Sequence, residues 1–557
     1  MLWALTMLPI ASGILVSLTR KAWGFVLAMV VGIVLVGLAA YGVAHPLTPV
    51  RYVYWNLDGI RFSLSLTSGH LLAWMALTTT VVHLMAQVYA HGYLDGDPLR
   101  ERFAGFLEAF AGGMLLFVSA ANLFTAYIGW EVMGLGSFLL IGHYQHWREA
   151  RFGATQAFAL TRIGDAAFLA AVAWGMSHHV STLAALNRSG PPIIIWLLVL
   201  AIFTKSAQGP FLSWLIGAMA GPTPASALIH AATMVAAGPF LLVRLFPLLD
   251  RSPALMTTLV VVGGVTAVWA GYQGAAAKAV KELLAYSTVS QLGLMLLALG
   301  VGSPRAAFAL LIAHAAFKSL LFFLAGIATH RADSTLLERV GGTLSQPMLA
   351  AFYAIGALAV AGLPPTAGFW AKDQVAAAAA HAGLLAGVLA MLAALVGGAY
   401  AGRLTASLFR APRRAEHLHP VNPWQAWAGL PLALVALGGV AGLPDPVHTG
   451  LAADAGIGTT AIDLLAVILG AAAGFLAAGP FPALAAMPWV PAWRGFWAVG
   501  EGMRMVEIVL HAAAAWPLRV VRHLARLGLF TARGRAQWYA ALTSLFLTAL
   551  VGWAFIH

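Results

Sequence analysis

Ionisable residues standing alone inside apolar runs are the first feature of this sequence that could do chemistry. Glu131 sits in Tyr127-Ile-Gly-Trp-Glu131-Val-Met-Gly-Leu-Gly136, and Lys205 sits in the middle of another apolar stretch. Taking a carboxylate out of water costs several kcal/mol unless it is paired, so an acid at membrane depth reads by default as a functional group. Lys205 is the natural counter-ion, a buried amine whose charge state is set by the contest between desolvation and a nearby carboxylate. The bland alternatives are a snorkelling Glu131 and a purely structural ion pair. Asp165, in Thr161-Arg-Ile-Gly-Asp165, is a second acid at the start of an apolar run, either interfacial or paired. His230 lies about two turns into a helix behind the Gly/Pro-rich entry Gly221-Pro-Thr-Pro, and an imidazole there can relay protons.

The second half of the chain repeats the theme. Lys281 opens Lys281-Glu-Leu-Leu-Ala-Tyr-Ser, and Lys372 with Asp373 follows Gly362-Leu-Pro-Pro365. Snorkelling to an interface is the competing reading for Lys281 and Lys372. His314 and Lys318 stand four residues apart, which places both on one helix face, one turn from each other, as proton hopping requires. His314 has no second ligand of suitable type near it in sequence, so no metal site is expected.

The elements that must position these groups follow from composition. The chain has 557 residues, 61% hydrophobic and 9% charged, against roughly 25% charged in a soluble domain. Nearly continuous runs of about 20 apolar residues predict an all-α polytopic membrane protein with about 15 spans. A transmembrane β-barrel is excluded because the runs do not alternate. The absence of cysteine excludes thiolate-bound clusters, zinc–thiolate sites and disulfides, so no cofactor is expected in this chain. The net charge of +12 does not indicate nucleic acid, because the basic residues are scattered through short loops. With Arg20/Lys21 in the cytoplasm, Arg100/Arg102, Arg148/Arg151, Lys278/Lys281 and Arg410/Arg413/Arg414 share that side, as the positive-inside rule demands. Residues 1–19 read as a first span entering from outside and not as a secretory signal, because the charges follow the apolar run. Alternation over 52–66 predicts a short exposed hairpin.

Two stretches look like interrupted membrane helices: Ile202 to Leu215, with Lys205 and Gly209-Pro210, and Ala359 to Val375, with Gly362-Leu-Pro-Pro365 and Lys372. Paired broken helices point to an internal repeat with ion sites near the midplane. The expected division is N-terminal helices over 1–102, a first repeat over 103–247, a second over 255–408 and C-terminal helices over 409–557. Within the last, 493–529 reads as an amphipathic interfacial or partner-docking helix, with Arg519, Arg522 and Arg526 along one face.

Several of these blocks carry a family resemblance. Gly129-Trp-Glu131, Lys205-Ser-Ala-Gln208, Ala218-Met-Ala-Gly-Pro-Thr-Pro-Ala-Ser-Ala-Leu-Ile-His-Ala-Ala-Thr-Met-Val235, Leu284-Ala-Tyr-Ser-Thr-Val-Ser-Gln291, His314-Ala-Ala-Phe-Lys318 and Thr366-Ala-Gly-Phe-Trp-Ala-Lys372-Asp373 resemble the signature blocks of the antiporter-like subunits of complex I. That family includes subunit L (NuoL), the large subunit of Mrp sodium/proton antiporters, hydrogenase-linked subunits and DabB, the cation-conducting partner in DAB inorganic-carbon pumps. The resemblance covers roughly 50–410 and implies two inverted five-helix repeats around a polar midplane axis. It makes Glu131 and Lys205 the first-half acid and channel lysine, Asp165 an input-side acid and His230 the connecting histidine. Lys318 and His314 become the second-half relay and Lys372 the exit lysine. Leu310 stands where subunit L can carry another histidine. The long lateral helix of subunit L finds only ~35 residues of counterpart here, about 52 Å of helix, which favours a smaller assembly.

The expected function is proton conduction coupled to a partner subunit in a bacterial inner membrane. The assembly favoured at this level is DabB-like, with proton flow energising a DabA-like zinc subunit that hydrates carbon dioxide. A complex I or hydrogenase subunit and an Mrp-type exchanger, with sodium as a competing ion, are the alternatives.

Overall fold

A computed structural model describes residues 1–19, 21, 23–57, 60–409, 420–438 and 457–478. The expected amphipathic helix over 493–529, the end of the expected C-terminal helices beyond it, and the basic residues Arg20, Arg410, Arg413 and Arg414 lie outside the described residues.

The chain begins with α1 (Leu2–Thr19) and α2 (Gly24–Ala44), then the hairpin β1 (Val50–Leu57) and β2 (Ile60–Leu66). The strands pair antiparallel with a bulge between Val53 and Trp55. The hairpin is held by the turn between the next helices: the Asn122 amide donates to the Ser63 carbonyl at 3.1 Å, and the Ser65 N–H donates to Thr125 Oγ1 at 2.9 Å. There follow α3 (His70–Tyr93), α4 (Arg100–Ser119), α5 (Leu123–Ile141), α6 (Arg148–Ser177), the short α7 (Leu183–Ser189), α8 (Pro192–Lys205) and α9 (Ser213–Gly217). Then come α10 (Thr223–Ala231), α11 (Ala237–Arg244), α12 (Phe246–Leu249), α13 (Pro253–Ala276), α14 (Val280–Gly300) and α15 (Pro304–Ala332). The described part ends with α16 (Pro347–Ala361), α17 (Ala367–Ala382), α18 (Leu384–Phe409), α19 (Pro423–Trp427), α20 (Leu430–Gly438) and α21 (Ile457–Ala478).

Among the described residues, 11 helices are long and apolar enough to cross a membrane. Their burial grades from rim to centre. The most apolar window of α15 is 100% inside the protein, while that of α21 is 17% inside and that of α2 is 33%. A helix apolar on all sides belongs either in a protein interior or against lipid, and here both occur. The central α15 carries His314 and Lys318, so both are fully shielded.

Both expected interruptions are present. Helix α8 stops at Lys205, and Ala207 just beyond it holds a left-handed φ of 52°, a conformation that a residue with a Cβ adopts only under local constraint. The second break separates α16 from α17 at Gly362, with φ +90°. A third break interrupts the helix that carries His230. The chain leaves helical geometry between α10 and α11, directly after His230. Thr233 Oγ1 donates to the Leu228 carbonyl at 2.5 Å and satisfies one acceptor that the helix end exposes.

Candidate functional site

The first-half site is built at the meeting of α5, α6 and α8. Glu131 and Trp130 come from α5, Arg162 and Asp165 from α6, and Lys205 from the last turn of α8. Lys205 is fully buried and donates to the Trp130 backbone carbonyl at 2.9 Å. Its ammonium also lies 4.4 Å from the Trp130 ring centroid, within reach of a cation–π attraction. The carboxylate nearest to it is Asp165, with Nζ 3.4 Å from Oδ1. That same oxygen accepts from Trp130 Nε1 at 2.5 Å. Asp165 is therefore a buried paired acid and not an interfacial one.

The expected Glu131–Lys205 pair is corrected by this geometry. Glu131 pairs instead with Arg162, whose other terminal nitrogen pairs with Asp165. Arg162 and Asp165 are three residues apart on one helix face, so the planar guanidinium reaches both acids. The result is a row of alternating charge, Glu131–Arg162–Asp165–Lys205, in which two acids balance two bases. A fork of fixed donors is the side chain best suited to bridge two carboxylates in low dielectric. Space for it is made by Gly134. A Cβ there would sit 2.8 Å from Arg162 Nη2 and 3.4 Å from Lys205 Nζ.

His230 occupies the last turn of α10, fully buried, and neither ring nitrogen has a hydrogen-bond partner among the described residues. Its ring packs 5.0 Å from that of Phe322. The adjacent carbonyl, that of Ala231, meets His314 Nδ1 at 3.2 Å, while His314 Nε2 is unpartnered. The break after α10 thus brings the two histidines to successive residues of one backbone segment. Lys318, one turn further along α15, donates to the Leu284 carbonyl at 3.1 Å and to the Ser287 hydroxyl.

Lys281 is half-buried. Its ammonium caps the end of the segment after α9, donating to the carbonyls of Met219 at 3.1 Å and Gly221 at 2.9 Å. Lys372 lies in α17, 8% exposed, and donates back across the second break to the Val360 carbonyl at 2.5 Å. Gly362 is needed twice here, for its positive φ and because a Cβ would meet Lys372 Cδ at 2.8 Å. Asp373 accepts from Thr460 of α21 at 2.8 Å. Asp463, also on α21, is near enough to act electrostatically on both Lys372 and Asp373.

Two functional candidates beyond the sequence reading therefore emerge, Arg162 and Asp463. Each had a signal: a lone charge in an apolar run, and for Arg162 an i,i+3 acid. Among the described residues no group of three His, Cys, Asp or Glu side chains is placed to hold a metal ion.

Comparison with known proteins adds relatives to this geometry. Residues 120–397 match the family described as NADH:quinone oxidoreductase/Mrp antiporter, TM. NADH-quinone oxidoreductase subunit L of Mycobacterium tuberculosis is 35% identical over 469 residues, covering 79% of this chain and 74% of the relative. Subunit L of Pseudomonas aeruginosa is 34% identical, covering 77% and 74%. Among solved structures, a chain of the Mrp complex from Dietzia sp. DQ12-45-1b superimposes with a TM-score of 0.75 at 26% identity, covering 95% of this chain and 63% of that one. A chain of the archaeal membrane-bound sulfane sulfur reductase shares the fold, with a TM-score of 0.70 at 20% identity, covering 86% and 99%. A row of alternating charge that ends on a fully buried lysine at a helix break, and relatives of this extent, lead to one statement: the chain belongs to the family of multi-pass membrane subunits shared by NADH:quinone oxidoreductases and Mrp antiporters.

Proposed function

We propose that this chain is a proton-translocating, energy-coupling subunit of a larger membrane complex, seated in a bacterial inner membrane with Lys21 and Arg100 on the cytoplasmic side. The observation that carries the reading is the charge row Glu131–Arg162–Asp165–Lys205, which runs from the half-buried Glu131 to the fully buried Lys205 where α8 breaks off. A proton arriving on either acid cancels one charge of a balanced set, and Lys205 and Arg162 must then redistribute between the remaining partners. Such a set couples a charge change at one end to a displacement at the other. His230 and His314, flanking one backbone segment, link that set to Lys318, and Lys372 with Asp463 forms the far end. We read 103–247 and 255–408 as the two repeats, each containing one lysine-bearing break, preceded by the helices over 1–102 and followed by those over 409–557.

The names of the relatives favour an assembly of the quinone-oxidoreductase type over the inorganic-carbon pump expected from sequence. In that assembly, redox chemistry in other chains drives proton movement through this one. Purifying the tagged chain in mild detergent and identifying its companions tests the assignment. Companions carrying iron–sulfur clusters and a quinone site, with NADH-driven acidification of vesicles abolished by Glu131→Gln, are the expected result. A zinc-containing soluble companion, with the chain rescuing growth in air of a carbonic-anhydrase-deficient bacterium, would move the assignment to inorganic-carbon uptake.

A further inference from the structure

Where the N-terminal helices meet the start of the first repeat, a second buried ionisable cluster joins α1, α3 and α4. Glu108 of α4 and His83 of α3 are both fully buried, with His83 Nε2 3.1 Å from Glu108 Oε1, and Ser12 of α1 donates to Glu108 Oε2 at 3.4 Å. No lysine or arginine lies within ion-pair distance of Glu108 among the described residues, and the other imidazole nitrogen, His83 Nδ1, is buried without a partner. Packing alone accounts poorly for this arrangement, because an apolar pair of the same volume would avoid the desolvation cost.

The cluster lies on a line of polar groups. On α3, Thr79, His83 and Gln87 recur every four residues and share one face. Thr79 Oγ1 approaches the Ala232 carbonyl at 3.5 Å, one residue from the Ala231 carbonyl that His314 contacts. At the other end, Gln87 donates to the Ala104 carbonyl at 3.0 Å, one turn before Glu108 on α4. One turn earlier again stands Glu101, which accepts from the Phe25 N–H at 2.8 Å and pairs with Arg100 at 3.3 Å. Arg100 pairs with the exposed Asp95 at 3.2 Å. Polar groups thus descend from the surface at Asp95 and Arg100, through α4 and α3, to the break after α10.

From this placement we infer that Glu108 and His83 form a second proton intake, entering between α3 and α4 and joining the main path at His314; the inference rests on the proton-translocating reading above. A proton taken on a Glu108 carboxylate oxygen passes to His83 Nε2, and the imidazolium releases a proton from Nδ1 towards the break, returning to the neutral ring. Atoms and charge balance, and no other reactant is needed.

The test uses the intact purified complex in liposomes, with proton flux measured under an imposed pH gradient and normalised to assembled complex. Glu108→Gln is expected to lower flux on the order of ten-fold or more, Glu108→Asp to retain most of it, and His83→Gln to add little once Glu108 is Gln. Wild-type flux in Glu108→Gln overturns the intake. A second readout covers failure to assemble: in wild-type complex moved into D2O, infrared spectroscopy should show an exchanging carboxyl band that shifts in Glu108→Asp. Absence of that band overturns the proposal. Lys205→Ala is run in parallel. Undiminished flux there refutes the main path, while the Glu108 infrared band still judges the intake by itself.

Discussion

The two halves of the membrane domain treat their lysines differently. In the first half Lys205 belongs to a set in which charge answers charge: Asp165 at 3.4 Å, Arg162 between Asp165 and Glu131, and the Trp130 ring beneath the ammonium. In the second half Lys318 rests on a carbonyl and a hydroxyl, and Lys281 rests on two carbonyls, with no carboxylate in ion-pair range of either among the described residues. An ion-paired lysine is tied to the state of its partner. A lysine on neutral oxygens keeps its hydrogen bonds through a change of charge, because a neutral amine still donates to a carbonyl. Under the proposed function, switching falls to the first half and relaying to the second.

Breaking the balance in the first half should have the largest consequence. Asp165→Asn leaves Lys205 and Arg162 with one acid between them, and an unpaired buried charge costs about 3–5 kcal/mol. The expected outcome is loss of assembled complex, measured as the fraction surviving detergent extraction. Adding Arg162→Gln restores two opposite charges and should recover assembly without recovering activity. Recovery of both would mean that Arg162 only compensates for Asp165.

In the second half the expected loss is smaller in stability and specific to activity. His314→Ala and Lys318→Ala should each leave the complex assembled while removing turnover, and the double variant should be no worse than the worse single one. If these groups merely pack, each truncation instead lowers stability by about 1–3 kcal/mol, and activity per assembled complex stays near wild type. Thermal unfolding and normalised turnover, measured on all three variants, separate the outcomes.

Gly134→Ala sharpens the comparison from the side of space. Its new methyl would stand 2.8 Å from Arg162 Nη2, so the guanidinium must shift, at a cost of about 1–3 kcal/mol. Turnover is expected to fall more than stability. Ser287→Ala, which removes one neutral acceptor of Lys318, should have the smallest effect, about 1 kcal/mol of stability with turnover reduced but present.

Much of this was legible in the chain. Apolar runs around Glu131, Lys205 and His230 marked them as costly and hence purposeful, and Gly209-Pro210 and Gly362-Leu-Pro-Pro365 announced two of the breaks. The hairpin over 52–66 declared itself by alternation. The pairing was not legible. Spacing within one helix is readable, but which acid meets Lys205 depends on how α5, α6 and α8 cross, and Arg162 takes the place that Lys205 would fill beside Glu131. The break after α10 carried a fainter signal: Ala231-Ala-Thr-Met-Val235 contains neither glycine nor proline, but Gly238-Pro239 follows, and the Pro239 ring lacks the N–H that would bond the Val235 carbonyl. Asp463 and the pair His83–Glu108 were visible as lone ionisable residues in apolar spans, yet only the fold shows what each one meets.

The central claim is that the charge row moves protons. It is tested most directly by proton flux through liposomes containing the intact complex, compared among wild type, Lys205→Ala and Glu131→Gln at equal amounts of inserted complex. Each substitution removes a titratable group at one end of the row, so each should abolish coupled flux per inserted complex, even where less of the complex assembles. Wild-type flux from inserted complex carrying either change would contradict the account.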